Sequence, residues 1–176
     1  MNKKEIVLFI LGLIVIILIS AWSPSLDKYS NVPTTSNVLY ADDNKYSDFY
    51  GRLYIPSVDI DVALYYKCSQ SVVNRADSAA IFNWKSYSGE IIADHNNQDF
   101  KNLLDVNVDT IGYIELKNGE VINIKCVDIL NGHNTGTEIT DENYNIVMGK
   151  ADYLMYTCKN GWRNVRICQW NRYESE

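Results

Sequence analysis

The chain has 176 residues, 47% of them hydrophobic, and its 16 Lys and Arg against 22 Asp and Glu give a formal net charge of -6. That length and balance suit one modest globular domain rather than two domains or a disordered chain. The acidic excess argues against a phosphate-binding surface, which gathers basic residues on one face, so no nucleic-acid partner is expected.

Lys3 and Lys4 precede an uncharged apolar run from Ile6 to Trp22, and these 17 residues are just long enough to cross a hydrocarbon core as a helix. Residues 1–26 are therefore predicted to form a cytoplasmic tip and a single-pass transmembrane anchor, with the basic pair keeping the N-terminus inside and the remainder outside the cell. Ile19 and Ala21 make a poor small-x-small cleavage site, so an anchor is preferred to a cleaved signal peptide. Residues 27–49 turn to Ser, Thr, Asn, Asp and Pro without a sustained period and read as an extracytoplasmic linker. The folded domain is expected over 50–176.

Thirteen Tyr and four Trp, with frequent Val and Ile, tilt that domain toward strands. "GRLYIPSVDIDVALYY" reads as two strands broken at Pro56, which has no N–H for a ladder. "VVNRADSAAIFNW" is ambiguous and has room for one or two helical turns. "GEIIADH" is a short strand ending at His95, and Phe100, Leu103 and Leu104 then mark one or two turns of helix. "TIGYIELKNGEVINIKCVDIL" is the clearest element, two alternating runs about a two-residue turn at Asn118-Gly119. "NGHNTG" reads as a Gly- and Asn-rich loop. "ADYLMYTC" and "RNVRICQW" are two further strands joined across Lys159 to Trp162. The sum is an all-β domain of seven to eight strands with short helices, a closed or nearly closed barrel.

Two histidines and four cysteines simplify the search for chemistry. A cysteine nucleophile needs a base or cation beside it, and acyl transfer needs a donor aimed at the developing oxyanion. His95 and Cys158 each close a strand, and Arg166 enters the next strand in an alternating run that puts it on one face with Cys168 and Trp170. Arg163 competes for the same role. Cys68, Cys126 and Cys168 read as small buried residues, with pairing among them left open. No Cys-x-x-Cys or His-x-x-x-His spacing supports a metal site, and the acidic residues form no recognisable calcium loop.

Over about residues 50–176 the chain resembles the sortases, the membrane-anchored cysteine transpeptidases of Gram-positive cell surfaces. The resemblance rests on "GRLYIPSVDIDVALY", on "IIADHNNQDFKNLLDV" with its His followed by Phe-x-x-Leu, and on Thr157-Cys158 with Arg166 eight residues on. Ala93-Asp94 stands where the family usually has a Gly before the histidine, and Leu154-Met155-Tyr156 departs from the family's lead into its cysteine.

The resemblance implies that Cys158 is the nucleophile, His95 the proton carrier and Arg166 the oxyanion or motif anchor, with no organic cofactor. Tyr156 and Thr157 would contact the substrate. His133 would lie in the connection that covers the groove, where an exposed loop histidine is the plainer reading. The implied partners are a secreted protein bearing a C-terminal sorting motif and an acceptor amine on peptidoglycan or a pilin. Two other classes remain open: a hydrolytic cysteine peptidase, and a non-catalytic anchored binding module.

Overall fold

A computed structural model of the chain describes residues 48–66, 69–147, 149 and 151–174. The expected anchor and nearly all of the expected linker lie outside the described residues, as does Cys68. Among the described residues no helix is long and apolar enough to cross a membrane.

The elements in order are β1 (Phe49–Ile55), a 3-10 turn at Pro56–Val58, β2 (Ile60–Tyr65), α1 (Gln70–Val73), β3 (Ser78–Asn83) and β4 (Glu90–Ala93). A 3-10 helix (Asp99–Asp105) follows, then β5 (Ile111–Leu116), β6 (Val121–Asn134), β7 (Ile139–Asp141), β8 (Tyr153–Cys158) and β9 (Asn164–Arg172). Strands run in the order β5-β1-β2-β3-β4-β8-β9-β6, and β6 pairs back onto β5, so eight strands close into a barrel. β7 is a ninth, short strand on the far end of β6. Most pairings are antiparallel, but β2 with β3 and β4 with β8 are parallel.

Three apolar clusters hold the two faces of the sheet, one of them, Phe49, Ala63, Tyr65, Val72 and Ala80, over the outer face of β1 to β3. Leu53, Val62, Leu64, Ile81, Ile92, Ile114, Ile124, Met155 and Trp170 pack inside the barrel, and Phe100 and Leu103 of the 3-10 helix join that core. A second layer of Ile91, Leu154, Val165, Ile167 and Ile139 covers the outer face of β4, β8, β9 and β6. Burial on both faces removes the apolar–polar alternation of a one-sided strand. This explains why "SAAIFN", the β3 strand, is ambiguous as sequence: its first four residues are all buried.

Three expectations are corrected. The β5–β6 turn spans three residues, Lys117 to Gly119, closed by Leu116 N to Glu120 O at 2.8 Å and Gly119 N to Leu116 O at 2.8 Å. Gly119, at φ +86°, supplies the left-handed step such a turn requires. The segment 99–105 adopts a tighter helix than a 3-4 spacing suggests; three residues per turn stack Phe100 on Leu103 and turn Leu104 outward, 39% exposed.

The third correction concerns "NGHN", which is strand rather than loop. β6 runs through it because β9 pairs with one edge and β7 with the other, His133 lying opposite both Asn164 and Thr140. Backbone pairing on two sides overrides the local loop preference of Gly and Asn. Gly132 is needed there for space, since a Cβ would overlap the Thr140 carbonyl oxygen. Gly132→Ala should therefore push β7 away and lower stability by about 1–3 kcal/mol, as overpacking typically does. A guanidinium midpoint equal to that of the parent chain would count against the pairing.

Candidate active site

The parallel ladder of β4 and β8 builds the site. Glu90 pairs with Tyr153 and Ala93 with Tyr156, a constant offset of 63 residues. The offset continues past the strand ends: Thr157 Oγ1 donates to Asp94 O at 3.0 Å, and Asn96 Nδ2 donates to Lys159 O at 3.0 Å. His95 and Cys158 are the row between them, so parallel pairing delivers both to the same rim. Both line a cavity of about 300 Å³ with Ala80, Phe82, Tyr156 and Trp162.

The thiol is half-buried, its Sγ 3.8 Å from Trp162 O, and burial raises the Cys158 thiol above its ordinary value with no neighbouring cation to draw it down. His95 Nε2 lies 3.0 Å from both Gln70 Nε2 and Asn74 Oδ1. Asp94 is 5% exposed, and neither carboxylate oxygen has a hydrogen-bond partner among the described residues. Burial pushes its carboxyl up to about 7, assisted by the Asp99 charge; the backbone N–H groups of His95 and Phe100 oppose the rise without closing well-formed bonds.

Antiparallel pairing of β8 with β9 decides which arginine shares the thiol's face. Directly opposed residues point the same way, and Cys158 faces Val165 while Thr157 faces Arg166. Arg166 therefore belongs to the interior face with Cys168 and Trp170, as its alternating run suggests, but that face is turned away from the thiol. Its Nη2 donates to Val106 O at 3.2 Å, its Nε is buried without a partner, and its charge lies beside the Cys126 and Cys168 thiols. Those two cysteines are buried, free and in contact with each other. Arg166 is not brought to His95 and Cys158.

Arg163, one residue before β9, carries the matching parity. Its backbone carbonyl takes Asn134 N at 2.7 Å, and its guanidinium sits 4.9 Å from the Trp162 ring centroid. It lines a second cavity of about 250 Å³ that shares Asn134 and Trp162 with the thiol groove. His133 lines this second cavity, stacked on Tyr144 with centroids 4.4 Å apart. Tyr156 is a groove wall. Thr157 is fully buried, its hydroxyl bound to Asp94 O, so it ties β8 to the His95 loop rather than touching substrate.

Sequence reasoning missed Gln70, Asn74, Asn134 and Trp162. Only Trp162 left a trace, a large aromatic in an Asn-Gly bend that turns out 59% exposed. Among the described residues no group of three or more His, Cys, Asp or Glu converges on a metal-sized site.

The sequence matches no protein-family model and no curated protein. Solved structures do match. Sortase C of Streptococcus pneumoniae, an enzyme with a pilin substrate specificity, aligns over 74% of this chain and 72% of its own at a TM-score of 0.58 and 16% identity. The fold is that of the sortases. Sortase C1 of Streptococcus suis aligns over 78% of this chain and 79% of its own, at a TM-score of 0.56 and 15% identity. Sortase A of Corynebacterium diphtheriae aligns over 73% of this chain and 62% of its own, at 0.54 and 15%. Within this sortase fold His95 and Cys158 share one groove.

Two measurements test the local chemistry. The folded chain holds the Asp94 proton more tightly than the unfolded chain, so stability should fall as pH rises from about 4 to 7, by up to about 1.4 kcal/mol per unit. Asp94→Asn should flatten that slope in denaturant titrations at pH 4.5 and 7.5; an unchanged slope assigns it to other groups. Alkylation by iodoacetamide should reach Cys158 before Cys126 and Cys168, at a rate still climbing above pH 9 because the thiol is raised. A rate that levels off near neutrality would mean a preformed thiolate.

Proposed function

We propose that the chain is a sortase-type cysteine transpeptidase anchored in the cell membrane with its barrel outside. The observation that supports the reading is the shared offset of β4 and β8 together with the largely apolar groove that His95 and Cys158 both line. The sortase fold supports the same reaction class, and the Ile6–Trp22 run with Lys3 and Lys4 supports the anchor.

In this mechanism Cys158 Sγ attacks a backbone carbonyl carbon of a sorting motif in a secreted protein. The C–N bond breaks, the leaving amine takes a proton through His95, and a thioester remains on Cys158. An amine of peptidoglycan or a pilin then attacks the thioester, gives its proton to His95, and releases the thiol. Arg163, which lines the adjoining cavity and reaches the groove by swinging over Trp162, takes the place of Arg166 as the group that holds the carbonyl or its oxyanion once substrate is bound. A thiol raised by burial favours loss of its proton in the course of the attack over a preformed thiolate.

The test is intact-mass analysis of the full chain in detergent, incubated with sorting-motif peptides and an amine. A thioacyl adduct and a ligated peptide, both lost in Cys158→Ala and His95→Ala, are expected. Arg163→Ala should lower turnover roughly 10²–10³-fold, the usual cost of an oxyanion donor, whereas Arg166→Ala should lower the melting temperature and spare adduct formation. The reverse pattern would return the role to Arg166. An adduct resolved only by water would make the protein a peptidase, and a thiol inert to every peptide would make it a binding module.

A further inference from the structure

His95 is tethered to a helix of a single turn. Its Nε2 lies 3.0 Å from Asn74 Oδ1 and 3.0 Å from Gln70 Nε2, while Gln70 Nε2 donates to Asn74 Oδ1 at 2.8 Å. The tether is itself anchored. Gln98 Nε2, three residues past His95, donates to Val73 O at 3.2 Å, and Ser78 Oγ donates to Val72 O at 2.8 Å. His95 Nδ1 makes no hydrogen bond with the described residues.

The donor inventory turns this triangle into a statement about protons. An amide nitrogen only donates, so the Gln70 bond fixes the oxygen of Asn74, not its NH₂ group, toward the ring. An amide oxygen only accepts, so its contact with Nε2 is a bond when Nε2 carries hydrogen. With a bare Nε2, two acceptors would lie 3.0 Å apart and both depend on the one Gln70 NH₂, whose two hydrogens diverge too widely to aim at both corners of a near-equilateral triangle. With hydrogen on Nε2, the ring and Gln70 each donate to one of the two lone pairs of Asn74 Oδ1 and the second Gln70 hydrogen turns away. The ring nitrogen that is held determines the tautomer, and hence which nitrogen exchanges protons.

We propose that Asn74, oriented by Gln70, is a positioning residue that keeps hydrogen on Nε2 of His95 and leaves Nδ1 to exchange protons with the leaving and incoming amines. The tautomer assignment stands on the hydrogen bonds alone; the role in exchange rests on the transpeptidase reading above. In the imidazolium, Nε2–H still points to Asn74 Oδ1, so the ring need not turn over as Nδ1 gains and loses its proton.

The experiment is ¹⁵N NMR of the full chain in detergent with ring-labelled histidine, above the imidazole titration. Only two histidines contribute, and His133→Asn assigns them. Wild-type His95 should show a protonated, pyrrole-like Nε2 and a bare, pyridine-like Nδ1. Asn74→Leu should mix the tautomers, Gln70→Leu should do so by freeing the Asn74 amide, and Asn74→Asp, which keeps an oxygen acceptor, should restore Nε2–H. A bare Nε2 in the wild type, or an unmoved tautomer in a folded Asn74→Leu or Gln70→Leu chain, would overturn the proposal.

None of these signals depends on ligation, so a chain that turns over no peptide refutes the transpeptidase reading without touching the tautomer. With a substrate in hand, Asn74→Leu should lower kcat roughly 10–100-fold, as loss of an orienting partner does, with KM little changed and Asn74→Asp recovering most of the rate. Equal losses in both variants would show that the side chain matters for something other than the accepted hydrogen bond.

Discussion

The parallel pairing of β4 with β8 is the constraint on which the site depends. Parallel neighbours need a long connection, and here it takes in the 3-10 helix, the β5–β6 hairpin and β7 before the chain returns. His95 and Cys158 lie 63 residues apart in the chain. Their meeting is a property of the closed barrel, and it is fixed by ladder hydrogen bonds and by the side chains of Thr157 and Asn96 in the rows on either side. A slip of one residue between these strands would turn one of the two to the opposite face.

The same alternation sorts the return strand. The barrel carries apolar layers on both faces, so β9 buries Ile167, Cys168, Gln169 and Trp170 in succession and hydrophobicity alone does not say which face is the groove. Pairing does. Cys158 faces Val165, and the eight-residue step that makes Arg166 attractive in the linear chain places it with Thr157 among the interior residues. There its guanidinium meets Val106 O and two thiols, and Arg163 takes the outward position beside Trp162.

Burial dominates the electrostatics of the site. The Cys158 thiol is raised by burial alone, and the Asp94 carboxyl, also raised by burial, is held near 7. A charged form of either is costly while the groove keeps these surroundings. The polar support of His95 comes from two amides, whose donors and acceptors do not titrate.

Several features are legible in the amino-acid order alone. The break at Pro56, the β5–β6 hairpin and the β8–β9 pair follow from turn residues and alternation, and the scarcity of His and Cys singles out His95 and Cys158 as candidates. β3 and the strand character of "NGHN" are not, because two-sided burial erases alternation in the first and long-range pairing overrides loop composition in the second. Gln70 and Asn74 leave no mark, since amides in a short polar segment look like any exposed turn. Residue types and their spacing thus establish which groups are present for chemistry and where the chain bends. Only the folded barrel settles which of them share a face, because strand parity and register exist only between segments far apart in the chain.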